Sequence, residues 1–382
     1  MKIPKIRFPG FTEEWEKQRL SNILEFEYGM NTAGKEFDGE NKYIRITDIE
    51  ESSRKFLQTK LVSPEGKIME KYRVKLGDIL FARTGASTGK TYKYIDNDGK
   101  IYFAGFLIRG RVDKKTSVDF IFCLTLNYKY KSWINAMSMR SGQPGINAKE
   151  YGSYEFRIPK LEEQQKIGDF FMLLDKRIEQ QEQKIALLKD YKKAMMQKIF
   201  SQKIRFKDEN GNDYPDWEEK KFLNIFFSIP SRAYQIFKTE IFSNGKIPVV
   251  DQGKKKVAGY SNEIKKICDK TPCIVFGDHT TELKYIDFPF IIGADGTKIL
   301  RNHIANSTLF LYYLLLENNV EQEGYKRHFS ILTKKSFDIP MIKEQEKIAS
   351  FLSTIDFNIE KQEGILENLK NQKGVLLHKM FI

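Results

Sequence analysis

Apolar residues recur in steps of four and three along residues 158–200, where Ile167, Phe171, Leu174, Ile178, Gln181, Ile185, Leu188, Lys192, Met195 and Ile199 fall on one stripe. That spacing keeps one face of an α-helix turned toward a partner helix, as in a coiled-coil seam. The stripe returns at Ile348, Leu352, Ile355, Ile359, Gln362, Leu366, Leu369, Lys373, Leu376 and Met380, because residues 339–381 repeat residues 158–200 without a gap, offset by 181. Ile158-Pro159 matches Ile339-Pro340, Glu163-Gln164 matches Glu344-Gln345, and identities continue through Asp175/Asp356, Lys192/Lys373 and Phe200/Phe381. Each helix has roughly 38 residues, so at 1.5 Å per residue it makes a strut of about 57 Å. Gln181 and Gln362 interrupt the seam. A polar residue there costs stability but penalises any register that leaves its amide unpaired, and a loosened, wet point in the bundle fits the same pattern.

Shorter echoes precede each strut. Lys5-Ile6-Arg7-Phe8 with Trp15-Glu16 reappears as Lys203-Ile204-Arg205-Phe206 with Trp217-Glu218. Asp78-Ile79-Leu80-Phe81 parallels Cys273-Ile274-Val275-Phe276, and an apolar helix from Asp119 to Leu126 parallels one from Thr308 to Leu316. Short β runs bounded by Gly, Asp and Asn surround one or two helices, which predicts an α+β fold. The expected organisation is a globular α/β domain at 1–157, a long helix at 158–202, a second domain at 203–338 and a second long helix at 339–382. The simplest compact arrangement has the struts antiparallel, which relates the domains by an approximate two-fold axis.

Composition narrows the partner. The chain has 382 residues, 41% hydrophobic and 13% aromatic, enough apolar surface for folded domains. Its 64 Lys and Arg against 51 Asp and Glu leave a formal charge of +13 and an isoelectric point near 9.2. That excess favours a polyanion, although a solvated basic surface has the same composition. The N-terminus carries charge and proline where a secretory signal needs an apolar run, and the longest apolar run, Leu309 to Leu316, is far short of the roughly 20 residues that span a bilayer. Three cysteines, Cys123, Cys268 and Cys273, fit a reducing cytoplasm and lack zinc-ligand spacing.

Two stretches imitate catalytic motifs. Gly85-Ala86-Ser87-Thr88-Gly89-Lys90-Thr91 is one residue short of a P-loop and runs into strand-like Tyr92-Lys93-Tyr94-Ile95 rather than a helix. Pro215-Asp216 with Glu218-Glu219-Lys220 resembles a metal-dependent nuclease motif, but it is crowded against a recurring Trp and reads as a domain lead-in. No glycine loop and Pro-Pro-aromatic pair for methyl transfer is present.

The chain resembles the specificity subunit of type I restriction-modification enzymes. The motifs that carry the resemblance are Arg7-Phe8-Pro9-Gly10-Phe11, Gly77-Asp78-Ile79-Leu80-Phe81-Ala82-Arg83, Ser141-Gly142-Gln143-Pro144-Gly145-Ile146-Asn147, Phe276-Gly277-Asp278-His279-Thr280 and the doubled Ile-Pro and Glu-Gln lead-in to each helix. The resemblance covers nearly the whole chain. It implies two target-recognition domains, each reading half of a split site on double-stranded DNA, with helical repeats that set the gap. It also implies docking of two methyltransferase subunits and of restriction-translocase subunits. S-adenosylmethionine, ATP and magnesium would be used by those partners, and none by this non-catalytic chain, in the cytoplasm of a bacterium or archaeon.

Candidate DNA contacts in the first domain are Arg83, Thr84, Ser87, Thr88 and Lys90 on a Gly-rich turn, with Ser141 and Gln143. In the second domain they are Lys254, Lys255, His279, Thr280, Lys284, Arg327, His328 and Ser330. Arg bonds guanine and Gln bonds adenine bidentately, whereas Lys and Thr more often take phosphate. A plain hairpin with its polar residues in water, a solvated lysine turn and histidines capping local backbone are the competing structural readings. A nuclease with an unrecognised site and a protein-binding coiled-coil scaffold are the competing functions.

Overall fold

The computed structural model describes residues 3–138, 144–303, 306–324 and 326–382. The chain divides into two compact units, residues 1–182 with 364–382, and residues 183–363. Each unit therefore contains one globular domain together with part of each long helix. The helices run over Leu161–Phe200 and Ile342–Met380, where the heptad stripe predicts them.

The first unit is built on a four-stranded antiparallel sheet in the order Leu24–Tyr28, Leu107–Val112, Asp78–Ala82, Thr91–Lys93. Beside it, Lys42–Ile44 pairs in parallel with Ile101–Phe103. Its first strand, Glu16–Arg19, pairs with its last, Glu155–Ile158, so the chain closes on itself just before the long helix. The second unit has the same plan. Its sheet runs Phe226–Ile229, Thr297–Asn302, Cys273–Gly277, Leu283–Ile286. Ile247–Val250 pairs in parallel with Ile291–Ile292, and Glu218–Lys221 closes on Ser336–Ile339.

The repeated lead-in residues form the joint between domain and helix. Glu163 is almost wholly buried and receives Nε and Nη2 of Arg7, each at 2.7 Å. In the second unit Glu344 receives Nε and Nη2 of Arg205 at 3.2 and 2.8 Å. The neighbouring glutamines act as clamps. Gln164 accepts the Ser117 N–H at 3.0 Å and donates to the Pro159 carbonyl at 2.8 Å, and Gln345 does the same with Ser307 and Pro340 at the same two distances. Ser117 and Ser307 in turn cap helices Val118–Leu126 and Thr308–Glu317, each hydroxyl accepting an orphan amide of the first turn.

An aromatic triad closes each core. Trp15, Phe120 and Phe381 lie with ring centroids 5.1–6.4 Å apart in the first unit. Trp217, Phe310 and Phe200 lie 5.8–6.4 Å apart in the second. Within each unit the helix segments run antiparallel. In the first, Phe171 meets Phe381, Asp175 meets Lys373 and Glu182 meets Lys370. The seam residues Ile167, Phe171, Ile178, Ile185, Ile348, Leu352, Ile355, Ile359 and Leu369 are buried, and Leu174, Gln181, Leu188, Gln362 and Leu366 are half-buried. Near the C-terminal end of each helix Met196 and Leu377 are buried together with the stripe residues Ile199 and Met380, because there the helix packs into a domain core.

Candidate nucleic-acid interface

The Gly-Asp-Ile-Leu-Phe motif forms the central strand Asp78–Ala82, whose side chains are all buried. Asp78 caps the turn before it by accepting the Lys75 N–H at 2.9 Å and holds the Arg111 guanidinium at 2.9 and 3.1 Å. Arg83 leaves the buried strand at its C-terminal end, where the chain turns outward. Its guanidinium lies 5.0 Å from the centre of the Tyr28 ring, a cation–π contact that orients it. The Tyr28 hydroxyl accepts the Ala148 N–H at 3.1 Å.

The turn after Arg83 is tied down by backbone bonds. Gly85 donates to Pro144 at 3.0 Å, Gly89 donates to Ala82 at 2.9 Å, and the Thr88 hydroxyl donates to Gly85 at 2.8 Å. Gly85–Ser87 is a single 3-10 turn followed by strand Thr91–Lys93, so the P-loop likeness ends here. Thr84, Ser87 and Thr88 stay partly accessible on this turn. Lys90 is turned inward. Its ammonium meets Glu51 at 2.7 Å and the Ile49 carbonyl at 3.3 Å, leaving the side chain 12% exposed. It braces the turn from behind. Ser141 and Gln143 lie outside the described residues.

In the second unit the corresponding strand ends in Gly277, followed by Asp278-His279-Thr280. Here the sequence candidates separate into two groups. Lys284 is buried, and its ammonium donates to the Asp251 carbonyl at 2.7 Å. Burial pushes its pKa down, against the pull of Asp251. His328 has no exposed surface; Nδ1 faces the Asp278 carbonyl at 3.0 Å and Nε2 accepts the Glu323 N–H at 3.1 Å. Neither side chain reaches a duplex in this conformation, which corrects both assignments. Both look like polar surface residues in the sequence, and only the fold reveals their internal partners.

The remaining candidates face outward to different degrees. The Thr280 hydroxyl donates to the Gln252 carbonyl at 2.5 Å. His279 is half-buried, with Nδ1 3.2 Å from the Lys326 carbonyl, and Gln252 accepts its N–H at 3.2 Å. Lys254, Lys255, Arg327 and Ser330 are exposed. A cleft of about 610 Å³ opens beside His279 and Thr280, walled by Lys238, Gln252, Gly253 and Gln322. Gln252 and Gln322 are polar groups at this cleft absent from the sequence candidates; no local motif singles them out. Tyr28 and Phe106 are likewise new at the first unit's sheet end, signalled only by the adjacent glycines, Gly29 and Gly105.

Among the described residues, no cluster of three or more His, Cys, Asp or Glu side chains is placed to hold a metal ion. No helix among them is long and apolar enough to cross a membrane.

A family model for the type I restriction modification DNA specificity domain matches residues 12–190 and again 214–371. The protein assigned as the MjaX type I restriction enzyme specificity subunit of Methanocaldococcus jannaschii is 26% identical, over 96% of this chain and 92% of that one. The MjaVIII specificity subunit of the same organism is 24% identical with the same coverage of both chains. Among solved structures, a type I restriction-modification S subunit from M. genitalium superposes with a TM-score of 0.64 at 15% identity, covering 100% of this chain and 99% of that one.

Proposed function

The chain belongs to the type I restriction-modification DNA specificity family, whose domain it carries twice, and from that premise we propose that it reads a split DNA site with two unlike half-sequences. As a specificity subunit it gives sequence recognition to methyltransferase and restriction partners and is not itself the catalyst. The observation that carries the asymmetry is that the two units share a scaffold and differ at its tip. Sheet order, helix clamps and aromatic triads correspond one to one. At the end of the equivalent strand, one unit offers Arg83-Thr84 on a tight turn and the other Asp278-His279-Thr280 beside an open cleft.

In this reading Arg83, Thr84, Ser87 and Thr88 serve one half-site, and Lys254, Lys255, His279, Thr280, Arg327 and Ser330 the other. The exposed lysines and Arg327 take phosphate, which fixes position without carrying sequence information. Two methyltransferase subunits dock on the helices, and restriction-translocase subunits complete the assembly in a bacterial or archaeal cytoplasm. S-adenosylmethionine, ATP and magnesium are bound by those partners. If both domains contact one face of the duplex, half-site centres should lie roughly one helical turn apart, about 10 to 11 base pairs.

The test is a genome-wide map of methylated adenines in cells with and without the gene. A bipartite motif that disappears with the gene, its halves differing in sequence, is the expected result. Methylation unchanged by deletion, with magnesium-dependent cleavage by the purified chain alone, would replace this function with that of a nuclease.

A further inference from the structure

Three neighbouring strands of the first unit's sheet end side by side, and the residues at that end are Tyr28, Phe106 and Arg83. Tyr28 closes Leu24–Tyr28, Arg83 follows Asp78–Ala82, and Phe106 precedes the strand between them, Leu107–Val112. Ala82 is opposite Leu107 and Tyr28 opposite Ile108, so Phe106 falls level with Arg83, whose N–H donates to the Phe106 carbonyl at 3.0 Å.

Phe106 is 60% exposed and Tyr28 43%. A phenyl ring left largely in water forgoes most of the stabilisation that burial would give. Its perch is nevertheless rigid. The turn is closed by Leu107 donating to Ala104 at 2.8 Å. Two glycines let the backbones meet: a Cβ on Gly29 would lie 2.2 Å from the Ala104 oxygen, and one on Gly105 3.1 Å from that of Met30. An aromatic ring held on a fixed support beside an oriented guanidinium is a presented group rather than a loose loop tip.

We infer that Phe106 is a base-reading residue that packs against the 5-methyl group of a thymine next to the base contacted by Arg83. This rests on the DNA-reading function proposed above. Arg reads guanine through O6 and N7 in the major groove, and thymine's methyl is the apolar group that the base edges offer there. Adjacent strands lie about 4.8 Å apart and stacked bases about 3.4 Å, so residues level on neighbouring strands meet neighbouring bases.

The experiment uses the full chain assembled with its methyltransferase partners, on duplexes carrying the recognition site found by adenine mapping. Each thymine of the first domain's half-site is replaced singly by deoxyuridine, which removes only the methyl group. One replacement is expected to weaken wild-type binding roughly fourfold, the worth of one buried methyl. The same replacement should leave Phe106→Ala unaffected, while Phe106→Leu keeps part of the discrimination and both variants keep the wild-type melting temperature. No methyl effect at any position, or an equal effect in wild type and Phe106→Ala, overturns the assignment. A wild-type complex without any sequence preference would instead defeat the DNA-reading function itself.

Discussion

The Lys192 ammonium lies 2.6 Å from the Asp356 carboxylate, whose second oxygen accepts the Tyr313 hydroxyl at 2.7 Å. Under the 181-residue offset these two residues become Lys373 and Asp175, which pair with one another in the first unit. Lys189–Glu363 and Lys370–Glu182, each at 2.6 Å, are related in the same way. One helix sequence therefore carries both halves of every pair, and each unit spends one half from each copy.

Reversing one member tests whether the pair sets register. Asp356→Lys should destabilise the protein by about 1–2 kcal/mol, since it sets two ammonium groups together and strands the Tyr313 hydroxyl. Adding Lys192→Asp should restore about 1 kcal/mol of that loss in a double-mutant cycle followed by urea unfolding. Additive effects would reduce the pair to a surface contact.

Arg205→Ala is expected to be far more damaging, by about 3 kcal/mol or more. Among the described residues it leaves the fully buried Glu344 carboxylate with only the Trp217 indole N–H at 3.2 Å, and an uncompensated buried charge is costly. Replacing Arg205 and Glu344 together by methionine should recover much of the loss, as measured by thermal unfolding. A double variant as unstable as Arg205→Ala would mean that the cost comes from lost shape rather than stranded charge.

Arg327 and His328, adjacent in sequence, should behave oppositely. Arg327→Ala is expected to weaken DNA binding by about 1 kcal/mol across all sequences and to flatten the salt dependence by about one ion. His328→Ala should lower stability by about 1–3 kcal/mol, because the Glu323 amide loses its acceptor and the Asp278 carbonyl, which keeps the backbone N–H of residue 328, loses the imidazole. Its folded fraction should bind DNA as wild type does. Fluorescence anisotropy at several salt concentrations, with melting curves, separates the two outcomes.

The long helices, their repeat and the α+β character of the domains were legible because heptad spacing and an ungapped duplication survive in the letters themselves. The position of Arg83 at the exit of a buried strand was legible too, since it follows a continuous apolar run. Lys90, Lys284 and His328 were not. Each sits beside polar residues that read as surface, and its partner (Glu51, Asp251 or Asp278) lies 33 to 50 residues away in sequence. Arg7 and Glu163 show the same blindness from the other side: both recur in the repeats, yet nothing local announces that they bind each other.

The turn around Glu50 should be acid-sensitive. Burial acts to raise this carboxyl, but hydrogen bonds from Ser53 and Ser52 outweigh it and bring the pKa down to about 2. A lowered folded-state value stabilises the turn above the unfolded value of about 4.5, and this contribution fades as pH falls toward 2. Amide exchange at Ser52 and Ser53, corrected for intrinsic rates, should accelerate over that window in wild type and show no such step in Glu50→Gln. The same step in both proteins would place the titrating group elsewhere.

A chain ended at Phe200 should dimerise. Its single helix holds Asp175 with Lys192 and Glu182 with Lys189, so two antiparallel copies satisfy each pair twice. Met196, Ile199 and Phe200 are the images of Leu377, Met380 and Phe381, which close the first unit's core beside Trp15 and Phe120. At the image of Gly374 the copy brings Lys193, and a Cβ there meets nothing within 4 Å, so the side chain can leave the backbone without a clash at its first carbon. Two identical domains on an isologous interface present the same reading surface in opposite senses. With methyltransferase partners, the truncated protein should therefore modify a palindrome made from the first half-sequence and its inverse. Light scattering reports the dimer and adenine mapping reports the palindrome. A monomer with an exposed seam, or a dimer that still methylates the original asymmetric site, would show that the second helix supplies something its repeat does not.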